Sequence, residues 1–209
     1  MLALTQLFIG DCKALANMAA VLGKKEDEKM LAMQAEKFAK NIQVLWNEEN
    51  GLFQNYDLTK NKFSYRISPT NFYPLIAHTA TEQQATSMIE RHLLNEEEFW
   101  GEWILPSIAK NDELYHEQRY WRGAIWAPMN FLVYLGLKEY NMPVTDAFVE
   151  KSVAIFRKNW SQEHFVCENY SPIDGTCTNE KLTSSPWYTW GGLMAIIGLM
   201  DAGYYNKNK

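Results

Sequence analysis

The sequence predicts an all-α domain with long loops gathered on one side, and three observations carry that prediction. Apolar residues recur at spacings of three and four along most of the chain, which is the period of a helix with one buried face. Several boundaries carry their own chemistry: Gly23 lies just past one periodic segment, Thr81 and Gln84 are spaced as a capping box ahead of another, and Pro128 can open a third. The stretches between are rich in aromatic residues and contain no linker or low-complexity tract, so they read as ordered loops on a helical scaffold.

In chain order, Leu4, Leu7, Phe8, Cys12, Leu15, Met18, Ala19 and Leu22 predict an amphipathic helix from about Ala3 to Leu22. A second helix, from about Asp27 to Trp46, is expected to be buried along Met30, Leu31, Phe38, Ile42 and Leu45. Asn50-Gly51 breaks the chain, and Leu52 to Tyr56 with Phe63-Ser64-Tyr65 reads as a short β-hairpin over the helix ends. The capping box precedes Ala85, Met88, Ile89 and Leu93, and further helices are expected at Ala127 to Leu137, Thr145 to Asn159 and Pro186 to Ala202.

The stretch Tyr120-Trp121-Arg122-Gly123-Ala124-Ile125-Trp126-Ala127-Pro128 is the richest in chemistry. An aromatic face stacks on the apolar face of a pyranose, an Arg presents a rigid fork of donors to hydroxyl or carboxylate oxygens, and a glycine lets backbone approach a ligand. The same residues also suit a plain core, with Trp121 and Trp126 as buried rings and Arg122 as a surface charge.

Composition narrows the field. At 209 residues, one domain with a sizeable core is expected, and 14% aromatic residues exceeds what a core needs and favours a ring-lined groove. A net charge of −5 without a basic stripe argues against nucleic acid. Charge or Gly interrupts every apolar segment before about 18 residues, so no membrane partner is expected. The opening Met1-Leu2-Ala3-Leu4 lacks a basic region, which predicts a cytoplasmic protein without a signal peptide. Cys12, Cys167 and Cys177 lack metal-ligand spacing; neither metal nor other cofactor is expected, and although Cys167 and Cys177 could pair across one loop, reduced thiols are expected.

One internal echo points to paired helices. Trp46 is followed by Gln54-Asn55-Tyr56 at the same spacing at which Trp160 is followed by Glu168-Asn169-Tyr170. A helix leading into an inward loop, repeated, is how a barrel of helix pairs is built. The two copies differ by an ionisable group at Glu168.

Taken in order, three segments resemble glycoside hydrolase family 63: Tyr120 to Phe131, Glu168-Asn169-Tyr170-Ser171-Pro172-Ile173-Asp174-Gly175, and Trp187-Tyr188-Thr189-Trp190-Gly191-Gly192-Leu193. Phe99-Trp100-Gly101-Glu102-Trp103-Ile104-Leu105-Pro106-Ser107 is similar to the loop ahead of the tryptophan motif. The resemblance spans nearly the whole chain and reaches the mannosylglycerate hydrolases, processing α-glucosidase I and the related trehalases. It implies an (α/α)₆ barrel, here an incomplete C-terminal portion, that hydrolyses an α-linked glucoside or mannoside with inversion. In such a reaction one carboxylic acid protonates the leaving oxygen while a carboxylate roughly 6.5 to 9.5 Å away activates water.

By this resemblance Glu168 is the general base, and Tyr120, Trp121, Arg122, Gly123, Trp126, Tyr170 and Trp190 belong to the sugar pocket. Phe165, Val166 and Tyr170 would strip water from the carboxylate and make it a better proton acceptor. The family's acid is an Asp in an earlier tryptophan-rich loop with no counterpart here, so the expected partner is an oligosaccharide or small glycoside and the chain reads as a fragment inactive alone. Asp112 and Glu113 are read as loop residues rather than substitute acids. Roughly seven of twelve barrel helices are present by periodicity; Leu4, Leu7, Phe8 and Leu15 would face the missing half, predicting self-association or capture of a separately encoded N-terminal half. A carbohydrate-binding remnant without turnover is the alternative. A terpene cyclase would need a clustered Asp-Asp metal motif and a prenyltransferase zinc ligands, and the sequence has neither.

Overall fold

A computed structural model describes residues 2–204. Helices α1 (Leu2–Val21) and α2 (Lys25–Asn41) pack against each other across a turn held by Lys24 N donating to Ala19 O at 2.8 Å. Two small antiparallel hairpins follow, β1 (Trp46–Asn47) with β2 (Leu52–Phe53) and β3 (Tyr56–Asp57) with β4 (Lys62–Phe63). A 3₁₀ segment, Pro69–Leu75, lies between α1 and α4 (Ala127–Glu139), with α3 (Glu82–Met88) between them in sequence. Helices α5 (Thr145–Glu163) and α6 (Leu193–Asp201) complete the array, each packed on the other and on α4. One core runs through it from Leu2 and Ile9 of α1, through Phe72 and Leu75, to Val133, Phe148 and Ile197.

Local chemistry sets the boundaries. Thr81 Oγ1 accepts from Gln84 N at 3.2 Å while Gln84 Oε1 accepts from Thr81 N at 2.9 Å, the reciprocal cap the spacing predicts. Pro128 lies in the first turn of α4, where its missing N–H costs nothing. Gly136 lets α4 approach the 3₁₀ segment so closely that a Cβ there would stand 2.6 Å from Leu75 Cβ.

The structure corrects several expectations. Helix α2 stops at Asn41; a 3₁₀ turn, Ile42–Leu45, follows, and Trp46 is in β1, paired with Phe53 and packed edge-on against its ring at 5.1 Å. Along α2 only Ala35 is fully buried, whereas Met30 and Phe38 are exposed, because the facing side of α1 offers a narrow strip of Cys12, Ala16 and Ala19. One hairpin becomes two, since Trp46-Asn47 supplies the partner of Leu52-Phe53. Pro186 does not start a helix: Trp187 is bridged to Val166, a 3₁₀ turn spans Thr189–Gly192, and α6 begins at Leu193. Leu4, Phe8 and Leu15 are exposed as expected, but Leu7 is half-buried against the core. Cys167 and Cys177 are joined as a disulfide, with Cα atoms 5.6 Å apart, within ordinary bridging distance; the loop between them doubles back through Ser171 and Thr176, bringing its ends together. Cys12 is free and buried.

A buried His–Glu pair makes stability depend on pH. His92 Nδ1 lies 2.7 Å from Glu98 Oε2 and its Nε2 lies 2.8 Å from Asn50 O. Both nitrogens can donate only when the ring is protonated. Burial alone lowers the pKa, but Glu98 and the Asn50 carbonyl outweigh it and hold the imidazole above its ordinary value. A folded value raised above the unfolded one gives stability that is fully present below about pH 6.5 and lost as pH rises through the folded value. The gap in urea midpoint between the parent and His92→Gln should therefore be wider at about pH 5.5 than at about pH 9. An equal gap at both ends would show that the pair does not titrate on folding.

Candidate functional site

Helix α4 anchors the loops. Asn130 Oδ1 accepts from Leu105 N at 2.7 Å and its Nδ2 donates to Trp126 O at 3.1 Å, tying the loop before the tryptophan motif to the motif itself. Ser107 N donates to Ala124 O at 3.0 Å, and Ile125 and Tyr170 exchange backbone bonds of 2.8 and 2.9 Å. Glu168 N then donates to Ser185 O at 2.9 Å and Tyr188 N to Val166 O at 3.0 Å. Short runs of β-pairing thus stitch four loops from distant parts of the sequence side by side, and the motif segments meet there.

The aromatic residues form one connected surface. Trp121 stacks on Trp126 with centroids 4.1 Å apart, Tyr120 meets Trp126 edge-on at 4.8 Å, and Trp190 lies 6.1 Å from Trp126. Tyr188 extends the row, 4.4 Å from Trp190. Exposure separates face from floor: Trp121 is 46% exposed, whereas Trp126 is 2% exposed and donates its Nε1–H to Tyr120 O at 3.0 Å. Trp126 is the support beneath the platform. Arg122 lies at the rim, its Nε 3.0 Å from Glu117 Oε2. Gly123, at φ +123°, donates its N–H to Ser107 Oγ at 3.0 Å, and a Cβ there would stand 3.0 Å from both Tyr115 O and Gln118 Nε2. Only glycine lets the motif turn back at this point.

Glu168 is half-buried beside this platform and joined to it through the backbone: its carbonyl accepts from Trp190 Nε1 at 2.9 Å. Tyr170 is fully buried, and its hydroxyl donates to Gly191 O at 3.1 Å; burial pushes the phenol far above its ordinary pKa and keeps it a neutral donor. It pins the loop from below and presents no surface to a ligand. Gly191 lies directly against the Cys167 carbonyl, so a Cβ at Gly191 would collide with backbone one residue from Glu168. Gly191→Ala should therefore destabilise the fold by about 1 to 3 kcal/mol and blunt any ligand response of Trp190. Unchanged thermal stability would show that the turn at Gly191 and the loop at Cys167 can part without cost.

Asp112 is engaged elsewhere. Arg66 Nε and Nη2 donate to its two oxygens at 2.7 and 3.2 Å, and Leu114 N adds a bond of 2.9 Å. Burial alone would raise this carboxyl, but Arg66 and Leu114 outweigh it and hold it below the usual carboxylate range, the opposite of what a proton donor needs. Glu113 is exposed and accepts from Tyr65 OH at 2.7 Å. Tyr188 and Ser185 also belong to this cluster of loops, and the sequence does not single them out, although Tyr188 lies in the Trp187–Leu193 segment. The Gly191 contact had no signal beyond the Gly191-Gly192 pair. Among the described residues no group of three or more His, Cys, Asp or Glu side chains is placed to hold a metal ion, and no helix is long and apolar enough to cross a membrane.

Comparison with known proteins identifies the family and the fold. A family profile described as mannosylglycerate hydrolase MGH1-like glycoside hydrolase domain matches residues 2–191. A mannosylglycerate hydrolase of Thermus thermophilus is 26% identical over 160 residues, covering 75% of this chain and 35% of that protein. Mannosylglycerate hydrolase MGH1 of Selaginella moellendorffii is 29% identical over 138 residues, 63% of this chain and 26% of that one. The crystal structure of a GH63 mannosylglycerate hydrolase from Thermus thermophilus in complex with glucose superposes with a TM-score of 0.76 at 21% identity, over 94% of this chain and 46% of its own. Neutral trehalase Nth1 from Saccharomyces cerevisiae gives 0.73 at 21% identity, over 97% and 37%. The fold is that of the (α/α)₆ barrel glycosidases, and the chain spans about a third or less of the length of these curated relatives. With most of its length inside the profile, the chain belongs to the mannosylglycerate hydrolase MGH1-like group of glycoside hydrolases, within family 63.

Proposed function

We propose that this chain carries the general-base half of an inverting hydrolase for α-linked glucosides or mannosides. The observation that supports this most is the bond from Trp190 Nε1 to the Glu168 carbonyl: it couples a half-buried carboxylate to the ring surface on which a sugar would stack. Trp121, Tyr120 and Trp190 present the faces, Arg122 the donors, and Trp126, Tyr170 and Gly123 hold them in place. Glu168 takes a proton from water, the water oxygen attacks the anomeric carbon, and a carboxylic acid on the other side protonates the departing oxygen. That acid lies outside this chain in our reading, since Asp112 is held as a carboxylate by Arg66. The coverage supports a half-barrel: nearly all of this chain superposes on less than half of the Thermus enzyme. The other half would cover the exposed apolar side chains of α1 and α2, among them Leu4, Phe8, Leu15 and Met33. Among the relatives, the name mannosylglycerate hydrolase points to a small glycoside as substrate and the name mannosyl-oligosaccharide glucosidase, of an Arabidopsis thaliana protein 24% identical over 185 residues, to an oligosaccharide.

Two measurements test this. Titration of the chain with glucose, mannose or their α-methyl glycosides should quench or shift tryptophan emission, and Trp121→Ala should weaken that binding roughly five- to tenfold while leaving the fold intact. In any assembly that turns over, proton NMR should show the anomer opposite to the substrate's as first product. A retained anomer would overturn the mechanism. Sugar binding with no turnover in any assembly would instead identify a carbohydrate-binding remnant.

A further inference from the structure

The disulfide joins two differently anchored parts of the loop that carries Glu168. Cys167 immediately precedes Glu168, in the strand held by Ser185, Trp190 and Gly191. Cys177 closes the other end, ten residues on. Between them Ser171 to Thr176 form a knot anchored on α5 instead: Lys158 Nζ donates to Asp174 O at 2.7 Å and Asn159 Nδ2 to Gly175 O at 2.7 Å. Inside the knot Asp174 accepts from Thr176 Oγ1 at 2.8 Å, and Ser171 N donates to Thr176 O at 2.9 Å. The bridge is thus a direct covalent tie between the strand of Glu168 and the α5-anchored knot.

Two further observations bear on whether this tie can be opened and closed. A cavity of about 270 Å³ opens beside Cys177, lined also by Asn159, Phe165, Thr178 and Ser184, and gives a small reductant a route to a sulfur that is otherwise buried. Cys177 Sγ also stands 3.3 Å from Asn159 Oδ1, so a reduced thiol has an acceptor waiting on α5. We propose that the Cys167–Cys177 pair is a thiol-responsive switch on the sugar site. A dithiol reductant enters the cavity as thiolate and attacks Cys177 Sγ, forming a mixed disulfide and releasing Cys167 as thiolate. Its second thiol then displaces Cys177, leaving the reductant as a disulfide and both protein sulfurs as thiols after two protons are taken up. Once the bond is open, the Glu168 segment is joined to the knot, among the described residues, only by the chain through Asn169 and Tyr170 and by Ser184, whose Oγ accepts from Asn169 N at 2.9 Å and whose N donates to Cys177 O at 3.1 Å. These bonds can open and re-form, so the carboxylate is held less firmly in register with the ring platform.

The role assigned to the switch rests on the sugar-site reading above; the tie itself does not. The full chain is prepared oxidised with diamide and reduced with dithiothreitol. Under denaturing conditions the oxidised form should expose one thiol, Cys12, and the reduced form three. Amide hydrogen exchange over residues 168–176 should speed up at least tenfold on reduction, with no change in α1 or α2. Affinity for methyl α-mannoside or methyl α-glucoside should fall several-fold in parallel, and Cys167→Ser with Cys177→Ser should behave as the reduced form in either buffer. Three thiols after diamide, or unchanged exchange, overturns the proposal, as does equal sugar affinity in both redox forms. Accelerated exchange with no sugar bound in either form leaves the tie standing and overturns the sugar-site reading instead.

Discussion

Glu168→Gln is expected to lower turnover by about 10²- to 10⁴-fold in any preparation of this chain that hydrolyses an α-glycoside, with sugar affinity nearly unchanged. The amide has the shape of the carboxylate but cannot take a proton from water. The surroundings should not move, because this position is held through its backbone, by Ser185 O and by Trp190 Nε1, and among the described residues not through its carboxylate. The loss should therefore fall on kcat with KM little altered. Near-normal kcat would end the assignment of the base, whereas a matching loss in sugar affinity would show that Glu168 binds substrate rather than activating water.

Trp126→Ala should cost about 3 to 5 kcal/mol of stability, the range for removing a buried large aromatic ring. For a chain of this size that is a fall in Tm of about 6 to 20 °C. Trp126 is almost fully buried among Ala124, Met129 and Leu182, carries Trp121 and Tyr120 on its ring, and gives its indole hydrogen to Tyr120 O. Its loss removes the floor of the platform, so sugar affinity should fall together with Tm. Trp121→Ala, at a half-exposed ring, should lower affinity alone. A thermal scan of both variants beside a sugar titration separates the two roles. Equal Tm values for Trp126→Ala and the parent would show that the ring is not supporting the surface.

The helices were legible wherever a local signal marked them. The 3–4 spacing in α1, the reciprocal cap of Thr81 and Gln84, and Pro128 at the start of α4 act within a few residues, and the structure has a helix at each, although α1 buries Leu2, Gln6, Ile9, Cys12, Ala16 and Ala19 and leaves Leu4, Phe8, Leu15, Met18 and Leu22 of the periodic stripe exposed. The expectation failed where a partner far along the chain decides. Trp46 leaves the helical pattern because Phe53 gives it a strand partner, and Pro186-Trp187 stay extended because Val166 lies alongside. Met30 and Phe38 have the period of a buried face, yet the surface opposite them within the described residues is too narrow to cover them.

The same division runs through the candidate site. Residue type and order single out the Tyr-Trp-Arg-Gly motif, Glu168 and Trp190 as candidates, because ring faces, guanidinium forks and carboxylates carry their chemistry with them wherever they are placed. Which of them faces outward is a property of packing. Trp121 and Trp126 are five residues apart and alike in composition, yet one is the surface and the other its support. Tyr170 reads as a pocket residue but is a buried donor to Gly191. Cys167 and Cys177 read as separate thiols, and only the turn through Ser171 and Thr176 brings their backbones within bridging distance. Sequence alone determined the helical class, the family and the chemical inventory of the site, since these depend on local periodicity and side-chain type. Tertiary structure decided exposure, pairing and the tie between Glu168 and its platform, since each of these is set by contacts between residues that are distant in the chain.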